Sequence, residues 1–115
     1  MSDAGLLDSA TLEMMSERFG ADMVKAMVGQ FTSESEARIP AIEAALAAGD
    51  LATLQKQAHD LTTSAGTLGV TGLAEQTRLA EQACKSGDVP AALAACQPLP
   101  GLLRQALDEI SARFG

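Results

Sequence analysis

The one histidine of this 115-residue chain, His59, stands in the stretch Ala58-His59-Asp60-Leu61-Thr62-Thr63-Ser64-Ala65-Gly66-Thr67-Leu68-Gly69. An imidazole is largely neutral, nucleophilic and able to change charge near pH 7. A single copy excludes a pair of imidazole metal ligands and a His–His acid–base couple. The two cysteines, Cys84 and Cys96, fall in no metal-ligating spacing, and they read as buried, reduced thiols of a cytosolic protein. Neither a metal site nor a resident cofactor is expected. Imidazole chemistry, if the chain performs any, happens at His59.

The elements that must position this ring are helices. Hydrophobic residues make up 47% of the chain but aromatic residues only 3%; the bulk comes from Ala, Leu and Met, which favour helix, and β-branched residues are few. Caps and apolar spacing place five helical segments. The first runs from about Asp8 or Ser9 to Phe19. The second runs from Ala21 to Ala48, with Pro40 expected to kink or briefly break it. The third follows an Asp50 N-cap and reaches Gly66 or Thr67. The fourth starts with Thr71 as its cap and ends at Lys85-Ser86. The fifth follows Asp88, tolerates Pro90 in its first turn, and is interrupted by Pro98 and Pro100 before restarting at Leu102-Leu103 toward Phe114. Gly49-Asp50 and Gly87-Asp88 each set a helix-ending glycine before a helix-starting aspartate. Connections this short turn the chain back on itself. The expectation is an all-α, antiparallel four-helix bundle with a short additional N-terminal helix, a single domain over residues 1–115.

Charge narrows the partners. With fifteen acidic against eight basic residues the formal net charge is −7, which a phosphate backbone would repel. Nucleic acid and membrane are not expected partners: no apolar run approaches the roughly 20 residues of a bilayer span, and the N-terminus lacks the basic region of a secretory signal. A cytoplasmic protein is expected.

The third segment carries a core stripe of Leu51, Leu54, Ala58, Leu61, Ala65 and Leu68, the three-and-four spacing of a buried seam. At about 100° per residue, His59 projects well over 100° from the middle of that stripe and faces solvent. Gln55 and Lys56 lie one turn before it, Thr62 and Thr63 one turn after, and Gly66 two turns on. Threonine and glycine are poor helix formers, costing up to ~1 kcal/mol each against alanine. Small side chains there leave space for another molecule to approach the ring. They are equally compatible with an incidental surface histidine, and composition and geometry leave that choice open.

The stretch resembles the histidine phosphotransfer (HPt) domain family. The family pattern is Ala-His-x-Leu-Lys-Gly, small residues, Leu-Gly, then a helix with spaced Leu, Cys and Leu-Glu. Ala58, His59, Leu61, Ser64, Leu68, Gly69, Leu73 and Glu81 match in register, and Phe31 sits where the family's second helix carries a phenylalanine. The resemblance covers the chain from Leu6 onward. Thr62 replaces the usual lysine and Thr63 the usual glycine, while Thr77 and Ala80 replace the customary Cys and Leu. The lysine would offer positive charge to a phosphoryl group, and a charge-assisted bond is roughly twice as strong as a neutral one. Thr62 retains only a hydroxyl. Lys56 is then the nearest cation on the face of His59, with Arg78 and Lys85 adding to the field from the fourth helix.

The resemblance implies a phosphorelay intermediate: His59 attacks the phosphorylated aspartate of a response-regulator receiver domain and passes the phosphoryl group to a second receiver. Lys56, Thr62, Thr63 and Gly66 would neighbour the phosphoryl group, and Ala52, Gln55, Arg78, Gln82 and Lys85 would dock the partner. The first helix, with Met14 and Met15, would cover one end of the bundle. Receivers and a hybrid histidine kinase are the implied partners, Mg²⁺ is expected on the receiver, and the domain is expected to be a monomer without kinase activity of its own. Two readings compete: a module that docks or sequesters receivers without efficient transfer, and a structural bundle with an incidental histidine.

Overall fold

Three aspartates start helices. The computed structural model describes residues 5–114, and every regular element among them is a helix: α1 (Ser9–Phe19), α2 (Ala21–Ala48), α3 (Leu51–Thr67), α4 (Thr71–Lys85), α5 (Val89–Cys96) and α6 (Leu99–Phe114). The carboxylates of Asp8, Asp50 and Asp88 accept from the backbone N–H of Ala10, Thr53 and Ala91 at 3.2, 3.1 and 3.1 Å. Each satisfies a donor that the first helical turn leaves unpaired, worth ~1 kcal/mol. Gly49, in the left-handed region at φ 67°, closes α2 by donating to the carbonyls of Ala45 and Leu46.

Three boundary expectations are corrected. The helix α2 runs unbroken through Pro40. Pro40 and Glu36, whose carbonyl loses its backbone donor, are both exposed, where solvent can compensate a missing helix bond. Thr71 is the first helical residue of α4 and not its cap; Val70 holds the cap position without any side-chain bond. Pro100 does not interrupt the last segment, because it lies in the first turn of α6, where a proline N–H is not required. The chain breaks only at Gln97–Pro98, so the fifth segment is two helices, α5 and α6.

The four longest helices meet in a ring. The helix α2 packs on α3 and α6, and α4 packs on α3 and α6, while α1 lies on α2 and α5 lies on α4 and α3. One cluster of buried apolar side chains fills the centre, among them Leu12, Phe31, Ile42, Leu73, Leu103 and Ile110. The α3 stripe contributes as its spacing foretells: Leu54, Ala58, Leu61, Ala65 and Leu68 are buried, with Leu51 half-buried at the end. At the first helix Met15 packs on the core while Met14 is exposed.

The segment before α1 ties the ring at one end. The Asp8 N–H donates to the Gly69 carbonyl at 2.7 Å, and the Gly72 N–H donates to the Leu6 carbonyl at 2.9 Å. The Leu6 and Leu7 N–H groups both donate to Glu109 Oε1, at 2.8 and 3.0 Å. Among the described residues no helix is long and apolar enough to cross a membrane.

Candidate functional site

His59 sits midway along α3 with 65% of its side chain exposed. The buried stripe fixes this orientation: Ala58 and Leu61 point into the core, and of the two residues between them His59 is exposed and Asp60 half-buried. The ring is nevertheless held. Its Nδ1 lies 3.0 Å from Oε2 of Glu81 on α4. A carboxylate only accepts, so Nδ1 carries the hydrogen and, in the neutral ring, the lone pair lies on Nε2. The helix pair α3–α4 thus selects the tautomer and leaves the other nitrogen toward solvent.

Glu81 is itself only 13% exposed, and its Oε2 also receives Lys85 Nζ at 3.3 Å. Partial burial pushes its carboxyl up, but the hydrogen bonds from Lys85 and His59, together with their charges, outweigh burial and hold it below the ordinary carboxylate value. The result is a linked row of Lys85, Glu81 and His59 across two helices. Glu81 entered the sequence reading only as a match to the family pattern, not as a site residue. Its spacing of 22 residues from His59 spans two helices and a turn, and no local periodicity connects them.

The remaining sequence-named residues divide by what they touch. Lys56 Nζ is held by Asp60 Oδ2 at 3.1 Å, one turn along α3. Arg78 binds Glu75 through Nε and Nη2 at 3.2 and 2.7 Å. Of the three cations, Lys85 is the one joined to the histidine through a shared carboxylate. Ala52, Thr63, Gly66 and Gln82 are exposed and Gln55 is half-buried. Gly66 has open space around it, since a Cβ built there meets nothing within 4 Å. Thr63 forms part of a shallow groove of about 250 Å³ between α2 and α3, with Met27, Phe31 and Leu68 supplying its apolar wall.

Thr62 does not present its hydroxyl to the face of His59. Its Oγ1 donates to the Ala58 carbonyl at 2.8 Å and lies 2.8 Å from Thr77 Oγ1 on α4. Thr77 is fully buried and also reaches the Ala74 carbonyl at 3.1 Å. Whichever hydroxyl donates across the seam, the hydrogen of Thr62 is engaged inside the protein. The hydroxyls at 62 and 77 thus satisfy one another across the α3–α4 seam, beside the backbone carbonyls of Ala58 and Ala74. On the opposite side of α3, Arg38 of α2 donates to Gln57 Oε1 at 2.8 Å and lies 3.7 Å from Asp60 Oδ2. Among the described residues no group of three or more His, Cys, Asp or Glu side chains could hold a metal ion.

The described residues form an all-helical domain that exposes one imidazole from the middle of a helix, with its Nδ1 anchored on a neighbouring helix, the arrangement that the resemblance to the histidine phosphotransfer family leads one to expect. The Hpt domain family model matches residues 26–113, and the chain belongs to that family. In fold it is similar to the crystal structure of histidine-containing phosphotransfer protein B (HptB) from Pseudomonas aeruginosa PAO1. That likeness has a TM-score of 0.84 and 23% identity, covering 97% of this chain and 96% of that one. No curated protein matches the sequence.

Proposed function

We propose that His59 is the phosphoryl carrier of a phosphorelay, accepting from the phospho-aspartate of one receiver domain and donating to the aspartate of another. The observation that supports this most is the Nδ1–H···Glu81 bond, because it frees Nε2 on the exposed edge of the ring. The Nε2 lone pair attacks phosphorus in line; the bond from phosphorus to the aspartate oxygen breaks, and its electron pair returns to that carboxylate. As the N–P bond forms, positive charge develops on the ring, and Glu81 lies against the N–H that carries it. Charge placed beforehand where charge develops is the usual source of such catalysis. Onward transfer reverses these steps.

In this reading α2, α3, α4 and α6 are the four helices of an antiparallel bundle, residues 1–115 form one domain, and α1 is the additional N-terminal helix. Ala52, Gln55, Thr63, Gly66 and Gln82 form the docking face for the receiver, which brings Mg²⁺ with its own aspartate; Lys56 and Arg78 border that face. A hybrid histidine kinase supplies the phosphoryl group, and the domain acts as a monomer in the cytoplasm. Mixing the protein with a phosphorylated receiver is the test: acid-labile, base-stable label on the wild type and none on His59→Gln supports the relay.

A second reading has its own observation. With Thr62 turned inward there is no cation where the family's lysine stands, which favours a module that docks receivers without efficient transfer. Binding without label supports that reading, and neither binding nor label leaves a structural bundle.

A further inference from the structure

The sequence places Cys84 and Cys96 twelve residues apart and reads them as buried, reduced thiols, a disulfide between them being the lesser reading; the fold brings them together. Cys84 lies on the inner face of α4 and Cys96 at the end of α5, both are free, and their Sγ atoms are 3.7 Å apart in the buried seam between the two helices. A disulfide has an S–S length of about 2.05 Å, so closing the pair needs a relative movement of about 1.7 Å. The element that would move suits this. The helix α5 has eight residues, follows Gly87 and its Asp88 cap and ends before Gln97–Pro98, and a helix so short depends mainly on tertiary packing.

We propose that Cys84 and Cys96 form an oxidative modification site, a dithiol that hydrogen peroxide converts to an intramolecular disulfide joining α4 to α5. The Cys84 sulfur, on the side chain that retains some exposure (6% against 0% for Cys96), attacks the distal peroxide oxygen as its thiolate. The O–O bond breaks, leaving a sulfenic acid and hydroxide, which takes up the proton released by the thiol and leaves as water. Cys96 then attacks the sulfenic sulfur; the S–S bond forms and a second water leaves. In sum, two thiols and one peroxide give one disulfide and two waters. Burial, followed by the hydrogen bond and charge of Cys84, pushes the Cys96 thiol up to about 12, which makes it the poorer first nucleophile; once Cys84 is a sulfenic acid its charge no longer opposes ionisation of Cys96, which attacks as the thiolate, its proton going to the departing hydroxide. Local opening of α5 admits the oxidant. The new bond would anchor the part of α4 that carries Glu81 one turn before Cys84 and Lys85 immediately after it.

The test uses the folded wild-type protein with hydrogen peroxide at neutral pH, followed by acid quenching, alkylation under denaturing conditions and intact-mass measurement. The expected product is a monomer that has lost two hydrogens, takes up no alkylating agent, and regains two reactive thiols with dithiothreitol. Its Tm should rise on the order of 10 °C, from the chain entropy removed by closing a loop of this length. In Cys96→Ser the oxidation should stop at a sulfenic acid on Cys84 that dimedone traps. Two alkylatable thiols after treatment, sulfinic acid without a disulfide, or a disulfide-linked dimer would each overturn the proposal. The wild-type mass decides the matter even if the serine variant does not fold.

Discussion

Gly66 and Gly69 stand three residues apart at the end of α3, and the fold requires only one of them. At Gly69 the backbone has φ +79°, and an added Cβ would lie 2.5 Å from Thr11 Cβ and 2.9 Å from the Asp8 carbonyl oxygen. The fold itself forbids any side chain there, because the segment before α1 rests on that turn. At Gly66 the backbone is helical and an added Cβ meets nothing within 4 Å. Helix propensity favours alanine at such a position by up to about 1 kcal/mol, so nothing inside the molecule accounts for the glycine. One glycine is required by intramolecular packing; the other is not, and it leaves open space two turns along α3 from His59, as Gly29 and Gly101 do on α2 and α6.

That contrast can be broken in several ways. The largest expected effect is at Gly69→Ala, where left-handed strain of roughly 1–2 kcal/mol adds to an overlap costing roughly 1–3 kcal/mol. Thermal unfolding should shift down accordingly, while transfer to His59 per folded molecule stays near the wild-type value; a specific loss of transfer would remove the distinction between the two glycines. Next comes Glu81→Gln, which keeps an acceptor for Nδ1–H but removes the charge. Single-turnover transfer from a phosphorylated receiver should slow about tenfold, the worth of roughly one charge-assisted bond, with circular dichroism unchanged.

Gly66→Ala is the sharper half of the comparison, although its effect is smaller. Stability should rise by up to about 1 kcal/mol while the receiver's Kd weakens. A stabilised variant that binds its receiver as well as before would mean that the space around Gly66 serves no partner. The smallest effect is on pH dependence. Glu81 is held below its ordinary carboxyl pKa of 4.5, so the stability it contributes is fully present above that value and is lost as pH falls through its lower, folded-state pKa. Between pH 6 and pH 3 the wild type should therefore lose slightly more Tm than Glu81→Gln. Equal slopes would show that the Lys85–Glu81–His59 row adds nothing to the fold.

What the sequence disclosed was what is local. The aspartate caps at 8, 50 and 88 compete with nothing beyond their own first turns, and the α3 stripe follows from three-and-four spacing alone. The same spacing turned His59 outward correctly. The errors came where a local rule met its surroundings. The local rule predicts a kink or brief break of α2 at Pro40; the helix is not broken there, and Pro40 and Glu36 are both exposed. Pro100 falls one residue inside α6, where its ring is harmless. At the site, the pairing of Lys56 with Asp60 lay within reach of an i,i+4 rule, and that of Arg78 with Glu75 within an i,i+3 one. The bonds from His59 to Glu81 and from Thr62 to Thr77 cross between helices, and only the register of α3 against α4 determines them. That register depends on the whole core, which no window of sequence contains.

The carboxylate of Glu109 gives the chain an order of events in time. It receives the amides of Leu6 and Leu7, residues made 103 and 102 positions earlier. At synthesis rates of roughly 5–20 residues per second, the start of the chain waits roughly 5–20 seconds for its acceptor to be made. Until then the strap across the α3–α4 turn has the backbone bonds at Gly69 and Gly72 and the packing of Leu6 and Leu7 to hold it. A ribosome-bound chain stopped before residue 109 should leave the Leu6 amide open to hydrogen exchange, so this domain reaches its finished form only as its last helix emerges.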